Sequence, residues 1–240
     1  MREFFYDLHI HSCLSPCGDN DMTPANIAGM AALKGLSLVA LTDHNSCANC
    51  GAFLRACDAL GVVGVPGMEL TTAEEVHLLC LFPTLSAAER FDSEVQKRRV
   101  QIPNRPAIFG DQIRMDENDV EQGREEFLLI NATELTLREG AELCRVCGGV
   151  PVPAHVDKDA NSVVAMLGAI PPDCGFRTAE YREPAAPDVP GGEGLFRISD
   201  SDAHYLWDIR EAEVSIALGA EEETPEALRR ALLARLESGT

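Results

Sequence analysis

All six histidines of this chain stand where a metal ion could use them. His9 and His11 lie in "DLHIH", His44 in "LTDHN", His77 in "EEVHLL", His155 in "VPAHVD" and His204 in "SDSDAH". Glu69 in "VPGMEL" and Asp202 in "SDSDAH" add carboxylates of the same placement. Imidazole and carboxylate are ordinary ligands of zinc and other first-row divalent ions. The chain therefore reads most simply as a multinuclear metal enzyme. The H-x-H spacing has a physical reason: residues two apart on a strand share a face, so both imidazoles can reach one ion. Asp202 and His204 repeat that spacing near the far end of the chain. Asp7 and Asp43 each precede a histidine motif. They are either second acceptors that orient an imidazole from behind or ordinary strand-end hydrogen-bonding groups.

The elements that must position these residues alternate. Phe4 to Leu8 reads as a strand. Thr23-Pro24 caps a helix that runs to about Lys34 and stops at Gly35. "SLVAL" is a strand into Asp43-His44, followed by a helix from about Ala48 to Leu60. "VVGVP" is a strand into Glu69, and Val76 to Phe82 is another. Ser86-x-x-Glu89 reads as a capping box opening a helix toward Arg98. "FLLIN", Phe127 to Asn131, reads as a strand. Thr136-x-x-Glu139 opens a helix to Cys147, and "GVPVPAH" is a strand into His155. Ser162 to Leu167 is a short helix, and "LFRISDSDAH" is a strand into Asp202 and His204. "EVSIAL" is a late strand, and Thr224-Pro225 caps a C-terminal helix.

Such alternation implies parallel strands with helices outside. In a parallel α/β barrel, functional residues sit at the C-terminal ends of strands. His9, His11, His44, Glu69, His155, Asp202 and His204 all follow that rule. Two polar segments, 99–126 and 181–194, break the alternation and are candidate lids. No internal repeat or linker stands out, so residues 1–240 read as one domain.

Composition narrows the field. Hydrophobic residues make up 45% and charged residues 25% of 240 residues, as in a soluble globular protein. No apolar run approaches a membrane span, and the N-terminus lacks a signal-peptide cleavage site. A cytoplasmic protein with reduced thiols is expected. The formal net charge of −19 repels a phosphate backbone at long range, so duplex nucleic acid is not an expected partner. Nine cysteines without a secretion signal argue against a disulfide framework. Cys47 with Cys50, and Cys144 with Cys147, form two C-x-x-C pairs. Together they could build a tetrahedral zinc site, or pack as small buried hydrophobes.

These motifs together resemble the polymerase and histidinol phosphatase (PHP) domain, a metal-dependent phosphoesterase superfamily. The residues that carry the resemblance are "DLHIHSCLSP", "TDHNS", "PGMEL" with "EVHLL", "PAHVD" and "SDAHY", in that order. The resemblance implies a distorted seven-stranded (β/α) barrel holding two to three divalent ions, zinc, manganese or iron. It places His9, His11, Glu69 and Asp202 on one ion. Glu69 bridges to a second ion that also takes His77 and His155. His44 and His204 take the third, with a ligand from the loop after His11. Many members carry an aspartate where this chain has Pro16. Asp19 is the favoured substitute, Cys17 the alternative, and Asp21 a more remote one.

The chemistry implied is hydrolysis of a phosphoester by a metal-bridging hydroxide held by Glu69, with no protein nucleophile. A small phosphomonoester or nucleotide is the expected substrate. Arg98, Arg99, Arg105 and Lys158 are candidates to clamp its phosphate; the alternative for each is a solvated surface charge. Two other functions remain open: an exonuclease on short oligonucleotides, and a non-catalytic, metal-stabilised interaction module.

Overall fold

The computed structural model describes residues 1–219, 222 and 224–239. Strand β1 (Arg2–Ile10) leads to α1 (Pro24–Leu33), β2 (Leu38–Leu41), α2 (Cys50–Leu60), β3 (Val63–Thr71), β4 (His77–Leu81) and α3 (Leu85–Gln96). Segment 99–126 is not structureless: it holds α4 (Pro106–Phe109) and the hairpin β5 (Ile113–Met115) with β6 (Glu121–Arg124). Next come α5 (Leu137–Val146), β7 (Val150–Pro153), α6 (Val163–Leu167), β8 (Thr178–Glu180), β9 (Phe196–Ile198), β10 (Ser215–Leu218) and α7 (Pro225–Ser238).

Threonine caps set several helix starts. Thr23 Oγ1 accepts from the Asn26 amide at 3.2 Å, with Pro24 inside the first turn. Thr136 and Glu139 form the expected reciprocal capping box on α5, and Thr224 caps α7. On α3 the cap is Thr84, whose hydroxyl accepts from Ala87 N, and not Ser86. The stretch Phe127–Asn131 is not a strand. Its carbonyls at Leu129 and Asn131 accept instead from Asn45 Nδ2, at 2.6 and 2.8 Å.

The main sheet has six strands in the order β10-β1-β2-β3-β4-β7. β1, β2 and β3 pair in parallel, as the alternation implies. β4 runs antiparallel to both β3 and β7. Only Thr72–Val76 join β3 to β4, too short for a parallel crossover, which needs a dozen or more residues. The sheet curls, and β8 and β9 carry the curl onward as a parallel pair. Val156 N donates to Glu180 O at 2.8 Å, tying the end of β7 to β8. His11 N donates to Ala203 O at 3.0 Å, tying the chain after β9 back to β1. The result is the expected mixed α/β barrel type; among the described residues the strands pair as sheets of six, two and two.

Two apolar clusters flank the sheet. Phe4, Tyr6, Leu8, Leu38, Ala40, Val63, Val65, Leu79 and Leu81 pack with Leu228, Leu232 and Leu236 of α7. Val39, Leu41, Met68, Leu70, Leu78 and Cys80 pack against α1, α2, α3 and α5 on the other face. Parity then fixes what lies above the α7 cluster. Glu69 follows Val65 at even spacing and His77 precedes Leu79, so both face that side. On β1 the register shifts between Asp7 and Ile10, and Ile10 joins the outer cluster. That irregularity reverses the parity set by Tyr6 and Leu8. It turns His9 and His11 inward beside Glu69. Among the described residues, no helix is long and apolar enough to cross a membrane.

Candidate metal centre

Glu69 is the hub. Its Oε1 lies 2.8 Å from His77 Nδ1, 3.2 Å from His155 Nε2 and 3.3 Å from His9 Nε2. Its Oε2 lies 3.0 Å from His44 Nδ1 and 3.3 Å from His11 Nε2. Asp202 Oδ1 is 3.4 Å from Nε2 of both His9 and His11, and those two nitrogens are 3.1 Å apart. His77 reaches the hub from the start of β4, because an antiparallel strand begins where its neighbour ends. His155 and Asp202 adopt positive φ, 30° and 54°, a region costly for non-glycine residues and frequent at functional sites.

Hydrogen bonds set the tautomers. A carboxylate can only accept, so His9 Nδ1–H donates to Glu180 Oε1 at 2.9 Å, leaving a lone pair on Nε2. Ser15 Oγ donates to Asp43 Oδ1 at 2.7 Å and accepts from His11 Nδ1 at 3.0 Å, with the same effect. His204 Nδ1–H donates to the Asp202 carbonyl at 2.7 Å. Three imidazoles thus have their outer nitrogens tied and their inner nitrogens bare.

The donor set fits divalent cations. Ligand atoms about 2.1 Å from a common ion lie about 3.0 Å apart at right angles and about 3.4 Å apart at the tetrahedral angle. All the separations above except the 2.8 Å between His77 and Glu69 fall in that range. Hydrogen bonding accounts for only some of them: His155 Nε2 can pair with Glu69 Oε1 and His9 Nε2 with His11 Nε2, but His44 Nδ1, His77 Nδ1 and Glu69 Oε2 are buried without a hydrogen bond. Three groups of donor atoms converge: His9, His11 and Asp202; His44, Glu69 and His77; and His11, Cys17, His44 and His204.

Protons and cations compete for the same nitrogens. Burial raises the Glu69 carboxyl, but His77, His9 and His44 outweigh it and hold it well below the carboxylate range. Asp202 is likewise raised by burial and pulled far down by His9 and His11. Burial lowers His11, yet Asp202 and Glu69 bring it up to about 9. Burial, with the charge of His11, brings His204 down to about 4.

The structure sorts the remaining candidates. Cys17, not Asp19, stands with His11, His44 and His204. The Asp19 carboxylate instead accepts the Asp21 amide at 2.9 Å, and its own amide donates to His204 O. Asp43 accepts from Ser12 N, Ser12 Oγ and Ser15 Oγ, so it acts on His11 through Ser15. Asp7 touches no histidine. It accepts the amides of Ser201 and Arg210, fixing the loop that carries Asp202. Lys158 Nζ lies 3.1 Å from Asp202 Oδ2 at the half-exposed mouth. Arg99 is spent elsewhere, on Gln96 and the Phe127 carbonyl. Arg98 and Arg105 are exposed and show no contact with the centre. The two C-x-x-C pairs form no four-sulfur group among the described residues; Cys47 and Cys50 both point at the Gly67 carbonyl.

Glu180 is absent from the sequence-based list. It holds His9 Nδ1 and also accepts the His155 amide at 2.7 Å. It sits on a strand of three residues in "TAEYR", too short to show periodicity.

The sequence matches the model of the PHP domain over residues 7–148, more than half of the chain. The chain belongs to the PHP family. Solved structures share the fold. The lesion-specific endonuclease Q of Pyrococcus furiosus is 21% identical with a TM-score of 0.68, over 97% of this chain and 56% of that one. Endonuclease Q with a 27-mer duplex bearing an abasic lesion at its active site matches over 96% of this chain and 56% of that one, again at 21% identity and a TM-score of 0.68. A candidate metal-dependent phosphoesterase of Bifidobacterium adolescentis is 17% identical with a TM-score of 0.57, over 95% of each chain. This PHP chain thus spans little more than half the length of endonuclease Q. No curated protein matches the sequence.

The endonuclease corrects one expectation. A net charge of −19 argues against duplex nucleic acid, yet a PHP-type fold of this shape serves an enzyme with duplex DNA at its active site. Net charge is a sum over the whole surface. A phosphate bound at a metal centre feels mainly charges within a Debye length of about 8–10 Å.

Proposed function

We propose that this PHP chain hydrolyses a small phosphomonoester or nucleotide at a centre of two to three divalent ions, zinc, manganese or iron. His9, His11, Glu69 and Asp202 would hold one ion, Glu69, His77 and His155 a second, and His44, His204 and Cys17 a third. The observation that carries the reading is Glu69, with five imidazole nitrogens within 3.3 Å of its carboxylate. When bound, such ions supply Lewis acidity toward phosphoryl oxygens and make water acidic enough to attack near neutral pH.

The chain's own residues do the rest. Glu180 and Ser15 fix the His9 and His11 rings from behind. Lys158 presents an ammonium at the mouth, where a phosphoryl oxygen enters. In the net reaction the ester P–O bond breaks, and water supplies the new oxygen on phosphorus. One proton of that water ends on the leaving alcohol. The His9, His11, Glu69 and His155 side chains are at most 1% exposed, while Asp202 and His204 are 13% and 24% exposed. Entry is therefore from the Asp202 side, which suits a terminal phosphate.

A second reading, phosphodiester cleavage in nucleic acid, is supported by the likeness to endonuclease Q. Metal analysis and a phosphate-release screen, run beside cleavage of an abasic duplex and of a short single strand, separate the two. Phosphate release with two to three ions per chain is expected. Strand cleavage with silent phosphomonoesters establishes the second reading. Less than one ion per chain under zinc, manganese and iron supplements overturns both.

A further inference from the structure

Beside the metal centre lies a cleft of about 840 Å³ that none of the metal ligands lines. Its volume is that of an ordinary small-molecule pocket. Val164 and Ala165 of α6 form one side, and Ala186 and Val189 of segment 181–194 form the other. Val156, one residue after His155, and Lys158 also line the cleft. Lys158 belongs to both, since its Nζ reaches Asp202 at 3.1 Å.

The far wall is built, not loose. Asp157 accepts the amides of Arg182 and Glu183, at 2.9 and 3.3 Å. Ile170 N donates to Pro190 O at 2.9 Å. The Arg197 guanidinium donates to the Ala186 carbonyl and to Asp188 Oδ1, the latter at 2.7 Å. Segment 181–194 is thereby held at three points along its length. The charges on the cleft discriminate. Asp159, Glu183 and Asp188 line it with carboxylates, which oppose a second phosphate but accept hydrogen bonds from a neutral N–H or O–H.

We propose that this cleft receives a flat, uncharged ring of the substrate's leaving group, and so selects phosphoesters that carry one. The phosphate lies at the metal centre, the link passes Lys158, and the ring rests between the Val164–Ala165 and Ala186–Val189 walls. The proposal rests on the phosphoester reading above.

Ala165 is exposed on α6, so Ala165→Phe narrows the cleft without disturbing a core. Two esters with the same phosphate linkage report on it: a nucleoside 5′-monophosphate, which has the ring, and ribose 5-phosphate, which lacks it. The ratio of their kcat/KM values falls by about tenfold or more in the variant if the ring sits there. A ratio unchanged within about twofold removes the proposal. Calorimetric titration of the unphosphorylated nucleoside into metal-loaded protein decides the matter where neither ester turns over. Binding that Ala165→Phe abolishes keeps the cleft while the phosphomonoester reading falls. No binding in that case removes the cleft proposal.

Discussion

At Glu69 both carboxylate oxygens are enclosed by imidazoles, and at His9 both ring nitrogens are engaged, one by Glu180 and one by the cluster. Single side chains of this kind have one productive orientation, and their neighbours enforce it. The third group is different, because its fourth donor is a cysteine. Burial, with the charges of Glu69 and Asp202, raises the Cys17 thiol. A bound cation reverses that, since a coordinating thiol is deprotonated outright. Cys17→Ala is therefore expected to remove one ion per chain, and Asp19→Ala none, by metal analysis after zinc loading. Cys17→Asp should shift the preference of that site from zinc toward manganese, because thiolate is soft and carboxylate hard. Loss of an ion in Asp19→Ala alone would return the role to the carboxylate.

Elements carry the next level of control. The register shift in β1 decides which face His9 and His11 present, and the short β3–β4 connection puts His77 opposite Thr71, one turn of the pleat from Glu69. Helix starts are set more simply. The Thr136–Glu139 box anchors α5, and Thr136→Ala should cost about 1 kcal/mol in urea unfolding. The Thr136 amide and hydroxyl hold the Glu139 carboxyl below its ordinary value near 4.5. A depressed carboxyl contributes stability above its ordinary value and loses it as pH falls through the folded one. The difference between wild type and Thr136→Ala should thus shrink between pH 7 and pH 3. A constant difference would mean that the Thr136 hydroxyl takes no part in holding the carboxylate.

Across the whole molecule, metal binding at this centre is expected to couple to stability. The centre ties β1, the ends of β2 and β3, the start of β4, the end of β7 and the loop after β9 into one cluster. Ions that bind only the folded chain add about 2.7 kcal/mol per independent site at a free concentration of 100 Kd. Chelation is expected to lower the melting temperature by several degrees, at about 2–4 °C per kcal/mol for a chain of this size. Zinc or manganese should restore it. A melting curve indifferent to both would show that the cluster holds no ion. Net charge, by contrast, proved a poor guide to partners. It is a sum over the whole surface, whereas a bound phosphate feels mainly the charges near it.

Much was legible without coordinates. The metal-ligating residue types, their strand-end placement and the threonine caps are local properties, written in spacings of two to four residues. Strand–helix alternation announced the α/β class in the same way. Glu180 was not legible, because its partners lie 171 and 25 residues away. Nor was the placement of Cys17, rather than Asp19, beside His11, His44 and His204, which depends on how one loop folds back over His11. The parity of β1, the antiparallel β4 and the cleft beside Lys158 arise only when strands pair and loops pack. Residue type and periodicity are encoded along the chain, but which lone pairs meet at one point is decided by contacts between distant segments.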